Sequence, residues 1–329
     1  MSITRVALAA VIALSIPRVA HADSDSRAAS RAVGDAAPGV LAQTELDVAP
    51  AGKRITRVEV DNPLGNVRVI GHDGPGLRIT ATKRAPDDAT LARLRVSLTP
   101  DAAGPMRIIT AVDPGKETRA VPRSQVQIDL VIEAPRDAWV DGRTGDGLLE
   151  LINMDAGGEL DSASGAVVVR NVSGPITAHT VDAALSLAEV FGIVEAGALA
   201  GDVTLDSIRG DRLVATAHGG RITGRRVRSR NLELTTTNGD INVEGHLVAG
   251  GTVRIATVHG RVTVALRGAA TVRANAPSVT FAKASAVREE AGGWRAAQYG
   301  TARTAASVEL VSRYATVVFA SVAPGSPSK

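Results

Sequence analysis

From residue 149 onward, single apolar residues return at a nearly constant interval. Leu149, Val167, Leu185, Val203, Ile222, Ile241, Val262 and Val279 are separated by 18, 18, 18, 19, 19, 21 and 17 residues. A second column follows two residues behind, through Leu151, Val169, Leu187, Leu205, Gly224, Val243, Val264 and Phe281. A third runs through Met154, Val172, Val190, Ile208, Val227, Leu247 and Leu266, with a one-residue slip in the later repeats. A fourth is Ile176, Val194, Leu213, Leu232, Val253 and Val272. Between the first two columns stand Glu150, Val168, Ser186, Thr204, Thr223, Asn242, Thr263 and Thr280, all polar but one. Alternate residues of a strand face opposite ways, so the flanking columns point inward and this one points out.

Small residues punctuate each repeat. Gly147, Gly165, Ala183, Gly201, Gly220, Gly239 and Gly260 precede the first column by two positions, with Pro277 in the last repeat. Gly174, Gly192, Gly210, Ser229, Ala249 and Gly268 follow the third. The dipeptide Asn238-Gly239 has the form of a hairpin turn, yet its glycine recurs once per repeat. Hairpins would reverse the chain at every turn; like stacking on like requires successive repeats to run parallel. The pattern predicts an all-β parallel β-solenoid of about 18–21 residues per coil. The crossover preference favours a right-handed β-helix, and the spacing lacks the apolar residue at every sixth position that left-handed hexapeptide coils need. In the corner column Asp202, Arg221, Asp240 and Arg261 alternate in sign. They read as an exposed ion-pair ladder with rungs about 4.8 Å apart, each pair contributing under about 1 kcal/mol. Asp240 and Asn242 could be calcium ligands by type, but arginine in the same column opposes a cation.

The pattern divides the chain. Residues 140–285 carry the solenoid coils, and residues 45–139 form an N-terminal β-rich cap that includes a first coil, VDNPLGNVRVIG, at 60–71. Asp87-Asp88-Ala89-Thr90 is suited to cap one helical turn. Residues 286–321 supply a C-terminal coil or edge strands with a loop insertion at 286–300; 23–44 read as a flexible lead-in and 322–329 as a tail. Residues 1–22 combine Arg5, an apolar run and Ala20-His21-Ala22, the form of a secretory signal peptide.

Repeated Gly-Asp-Ile/Val units, Gly201-Asp202-Val203-Thr204-Leu205 and Gly239-Asp240-Ile241-Asn242-Val243, follow this export signal. In these features residues 55–320 resemble the bacterial putative-adhesin family of β-strand-repeat proteins, a domain of unknown function. The resemblance implies a β-solenoid outside the cytoplasm, in the periplasm or at the outer cell surface, and brings no catalytic residues with it. Ala183 and Gly224 depart from the repeat.

Composition narrows the chemistry. Aromatic residues are 2% of the chain, so the core must be built from aliphatics packed in a regular way. Cysteine is absent. The pI near 9.6 reflects arginine more than excess charge; without Arg5 and Arg18 of the signal, 35 basic residues face 34 acidic ones, a net of +1. No nucleic-acid field follows, and no transmembrane segment is expected after signal cleavage. No phosphate loop, zincin motif or nucleophile elbow occurs, and neither cofactor nor metal is implied. His218 and His259 read as exposed turn residues without further zinc ligands, and Trp139 and Trp294 as packing at the two ends. Arg209-Gly210-Asp211 matches an integrin-type tripeptide, but Gly210 is already accounted for as a corner. The local feature above background is RITGRRVRSR, where Arg221, Arg225, Arg226, Arg228 and Arg230 crowd one coil. Forked guanidinium groups suit an anionic polymer. The expectation is a non-enzymatic envelope or surface scaffold, adhesin-like, whose partner is an envelope glycan, lipopolysaccharide or a surface protein. The alternative is a carbohydrate-active β-helix enzyme, a polysaccharide lyase or hydrolase, which would need carboxylates converging on one face.

Overall fold

The computed structural model describes residues 40–48, 54–100, 105–114, 122–284, 286–300 and 304–321. The expected signal peptide, most of the lead-in and the tail at 322–329 lie outside the described residues. The described chain is all-β, with one helical turn at Asp88–Leu91 and two 3-10 turns. That helical turn is the one expected: the Asp87 carboxylate accepts from the Thr90 N–H at 2.7 Å, which holds its carboxyl below the usual range.

Two parallel ladders run along the molecule. In the first, Arg57–Asn62, Trp139–Thr144, Gly158–Ser162, Ile176–Thr180, Val194–Ala198, 213–217, 231–236 and Thr252–Thr257 pair in succession. In the second, Val67–His72, Leu149–Met154, Val167–Ser173, Leu185–Phe191, Val203–Asp206, 222–225, Ile241–His246 and Val262–Arg267 do the same. One strand of each, with the turn between them, makes a rung. Val67, Leu149, Val167, Leu185, Val203, Ile222, Ile241 and Val262 are register partners, all at 0% exposure. Burying such a side chain contributes about 1.5–3 kcal/mol before ordering entropy. In the third column the expected Leu247 is replaced by Gly245, which pairs with Val227 and Leu266. A Cβ there would overlap the Val227 carbonyl oxygen, so glycine alone allows the approach.

The ends depart from simple succession. Rung 252–267 does not stack on 270–282, as the periodicity implied. Ala306–Ser312 and Thr316–Ser321 lie between them, so Val308 separates Val253 from Val272, and Val317 separates Val262 from Val279. Period alone cannot order two apolar rungs; bulk does. Val308, Leu310, Val317 and Phe319 fill an interior layer, whereas Val279 and Phe281 stay partly exposed in the last one. The opposite end uses the same device: rung 57–72 lies between rung 139–154 and the strands Pro105–Val112 and Gln127–Pro135.

Antiparallel strands finish both ends. Leu77–Ala85 pairs with Gln127–Pro135, and Val40–Val48 with Leu77–Ala85. Residues 40–44, expected in the flexible lead-in, are therefore strand; their alternation was masked by small residues such as Ala42 and Thr44. The segment 286–300, expected as a loop or edge insertion, holds a hairpin of Val287–Glu290 and Trp294–Tyr299 laid against Ala270–Asn275. Every residue of its outer strand is exposed, and three of the four are charged, which discourages further pairing there.

The corner between the two ladders is a repeated backbone contact. A Cβ on Gly147, Gly165, Gly201, Gly220, Gly239 or Gly260 would overlap the carbonyl oxygen of the corresponding corner residue in the adjoining rung. Buried hydroxyls lock that contact. Thr236 accepts from the Gly239 N–H at 3.3 Å and donates to the Gly220 carbonyl at 2.9 Å. Thr257 does the same with Gly260, at 3.1 Å, and Gly239, at 3.1 Å. Ser312 donates to the Gly260 carbonyl at 2.9 Å, which ties the inserted C-terminal rung to its neighbour 52 residues earlier. Asp202 and Asp240, expected in side-chain ion pairs, instead accept from the backbone N–H groups of Arg221 at 2.7 Å and Arg261 at 2.8 Å. The corner is tight enough that the carboxylates reach the backbone first.

Two outcomes follow for stability. Gly239→Ala should lower the stability of the fold by about 3 kcal/mol or more, read from the urea midpoint, while Gly219→Ala, whose new methyl meets nothing closer than 3.6 Å, should stay within about 0.5 kcal/mol. Thr236→Val removes the hydroxyl and leaves the buried Gly220 carbonyl without that donor; the expected loss is about 1–3 kcal/mol, with far-UV circular dichroism of the folded form unchanged.

Candidate functional site

Residues 222–236 form one 15-residue strand that passes from the second ladder to the first. Ile222, Gly224, Val227, Ser229 and Leu232 face inward; Arg225, Arg226, Arg228 and Arg230 are exposed, as is Arg221 just before the strand. The strand bends at Arg226, which has φ 52°. Asn153, Asn171, Glu189 and Ser207 occupy the same bend in earlier rungs, with φ between 51° and 59°. These left-handed residues throw their side chains outward and sideways. The Asn171 amide donates to the Asn153 oxygen at 2.8 Å. Arg226 donates to the Ser207 hydroxyl at 2.7 Å and to the Asp206 carboxylate at 2.6 Å.

The five arginines therefore divide. Arg221 stands at the glycine corner, at the far end of the strand side from Arg226. Arg226 is spent on Asp206, and Arg225 is the register partner of the same Asp206. Arg228 and Arg230 face the side beyond the bend. There they are joined by Arg209 and Arg212 of the preceding rung: Arg209 is the register partner of Arg228, and Arg212 of Asn231. Phe191 lies one rung further on, in register with Arg209, whose guanidinium carbon is 5.4 Å from the ring centroid. Phe191 is 52% exposed and Ile193 53%. Among the described residues, Arg209, Arg212, Arg228 and Arg230 make no ion pair. The contiguous basic side thus draws its arginines from two rungs, with Phe191 and Ile193 on a third. Reading the arginines as a run of sequence hid Arg209 and Arg212, which the 19-residue register brings alongside Arg228 and Asn231.

A second cluster was equally readable from spacing and was missed. Arg143, Asp161, His179 and Gly197 recur at intervals of 18 and occupy successive positions of one outward column. Asp161 lies 3.7 Å from Arg143 Nε and 3.6 Å from His179 Nδ1. Gly197 leaves the space that the His179 ring borders. Arg143, Asp161 and His179 line a shallow depression of about 330 Å³ with Thr144, Ser162 and Thr180. The three hydroxyls are bonded to the backbone of the corners. Ser162 accepts from the Gly165 N–H at 2.9 Å, Thr180 donates to the Gly165 carbonyl at 3.2 Å, and Thr144 donates to the Gly65 carbonyl at 3.0 Å.

The same side carries a carboxylate column that was not anticipated: Glu59, Asp141, Glu159 and Glu195, with Thr177 between the last two. Glu59 pairs with Arg107 at 2.9 Å. Asp141 pairs with Arg57 and accepts from Trp139 Nε1 at 2.7 Å. None of these four carboxylates lines the depression. His218 and His259 sit at the exposed corner, against Thr237 at 3.2 Å and Asn238 at 3.1 Å, and His259 stacks on Tyr314. Among the described residues no group of three or more His, Asp or Glu side chains could hold a metal ion.

No family model matches the chain, and no curated protein matches it. Solved structures that resemble it include a putative adhesin from Parabacteroides merdae, 9% identical over 84% of this chain and 95% of that one, with a TM-score of 0.46. A putative adhesin from Bacteroides fragilis is 12% identical over 85% and 96% of the two chains, with a TM-score of 0.38. A putative cell adhesion protein from Clostridium sporogenes is 10% identical over 86% and 100%, with a TM-score of 0.25. With scores below 0.5, no property of those proteins is carried to this chain.

The division of the arginines has a direct readout. Asp206→Asn should raise the salt concentration needed to elute the protein from a heparin column, because it releases Arg225 and Arg226. The urea midpoint should move by the equivalent of less than about 1 kcal/mol, since the pair is exposed.

Proposed function

We propose that the chain is a β-solenoid, right-handed by the crossover preference, that is exported by its N-terminal segment and works without catalysis. Its role is a contact scaffold at the cell envelope or surface, adhesin-like in kind. Its partners are an envelope glycan, lipopolysaccharide or a surface protein, and not nucleic acid. The observation that carries this reading is the commitment of the polar groups. Buried hydroxyls at the corners serve rung-to-rung bonds, and the outward Ser186, Thr204, Thr223, Asn242 and Thr263 form a regular row at rung spacing. Such rows offer many equivalent weak contacts rather than one converging site.

The rival reading, a carbohydrate-active enzyme, draws on the Asp141, Glu159 and Glu195 column and on Asp161 beside His179. Adjacent rungs are about 4.8 Å apart, close to the separation retaining glycosidases use. Against it, Asp141 is held by Arg57 and Trp139, and the depression beside Asp161 and His179 is not lined by Asp141, Glu159 or Glu195.

The deciding experiment pairs two assays. Immobilised protein should retain components of a whole-envelope extract at low salt and release them as salt rises. Acidic polysaccharides incubated with the protein should keep their chain length. A fall in polymer viscosity that Glu159→Gln or His179→Ala abolishes would replace the scaffold with the enzyme.

A further inference from the structure

The basic side beyond the bend carries two kinds of side chain that a polyanion alone does not explain. Arg209, Arg212, Arg228 and Arg230 are exposed and free of ion pairs among the described residues, with Asp211 as the acid between them. Beside them, on the adjoining rung, Phe191 and Ile193 are each more than half exposed. The outward strand positions of these rungs include Thr177, Ser186, Glu195, Thr204 and Thr216; Val181 and Leu199 are also exposed, at the glycine corner away from these four arginines, so Phe191 and Ile193 are the large apolar groups that adjoin the basic side. The rungs bring both sets side by side: Phe191, Arg209 and Arg228 are consecutive register partners.

We propose that this side docks on an anionic lipid leaflet. The four guanidinium groups would fork onto lipid phosphates, and Phe191 and Ile193 would enter the boundary between headgroups and acyl chains. Each half is modest alone. Basic residues near an anionic surface contribute additively and are screened by salt, and two apolar side chains supply the part that salt does not remove. Phe191 also lies against Arg209, so insertion of the ring carries that guanidinium to the phosphate level. This deepens the contact-scaffold reading by naming one contact. Its outcome is separable from the polysaccharide assay above, since vesicle binding requires neither Glu159 nor His179.

The test is co-sedimentation of the protein with phosphatidylcholine vesicles, with and without phosphatidylglycerol. The parent should bind the anionic vesicles and not the neutral ones. R209Q/R212Q/R228Q/R230Q should weaken binding by about a hundredfold or more; if that variant loses its far-UV spectrum, R228Q/R230Q should show an intermediate loss. F191S/I193S should weaken vesicle binding by about tenfold while eluting from heparin with the parent. Undiminished vesicle binding by F191S/I193S would overturn the proposal in favour of a plain polyanion contact. So would a parent that is retained on heparin yet leaves anionic vesicles unbound.

Discussion

The molecule depends on how closely one backbone can lie on another at the glycine corner. Each corner carbonyl sits where the next rung's side chain would begin, so a Cβ is excluded at Gly147, Gly165, Gly201, Gly220, Gly239 and Gly260. That proximity lets one buried hydroxyl serve two rungs, accepting from its own corner and donating to its neighbour's. The corner therefore sets register as well as direction. Slipping by one residue would put a Cβ on a carbonyl and a hydroxyl in the apolar core, two penalties that reinforce each other.

With the corner fixed, the core can be made of modest side chains. Valine, leucine and isoleucine repeat at the same depth in every rung, and none needs to reach far because the two ladders are close. Among the described residues the buried aromatic groups lie at the C-terminal end. Phe319 is fully buried there, with Tyr299 tilted against it at 5.0 Å, and the Tyr299 hydroxyl donates to the Ala282 carbonyl at 3.1 Å. Burial pushes that phenol's pKa up. Aromatic bulk is used where the regular pattern stops and an irregular layer must be filled.

The parallel stacking was readable because one column of inward residues, Leu149 through Val262, survives every change of turn length. The corner glycines were readable for the same reason. What the spacing could not convey was order. Rungs 270–282 and 306–321 both carry suitable apolar residues, and only side-chain volume and the hairpin between them decide which lies inside. The basic side was half visible: Arg228 and Arg230 were in the expected group, but Arg209 and Phe191 belong to it through register, while Arg221 and Arg226 leave it for a corner and for Asp206. The column of Arg143, Asp161 and His179 shows the converse. Its interval of 18 was present in the chain, but columns of apolar residues were followed through the repeat and columns of charged ones were not.

The interleaved ends bear on how such a chain can grow in evolution and how it can be completed in synthesis. Duplicating a middle rung lengthens the stack without disturbing its closures, but a rung that followed residue 321 could not stack directly on the strand before it, because that strand already lies between two others. For the same reason a nascent chain halted before residue 306 leaves two apolar layers facing an empty slot, not one frayed edge. Residues 306–321 are a keystone, fitted between two layers that precede them in the chain.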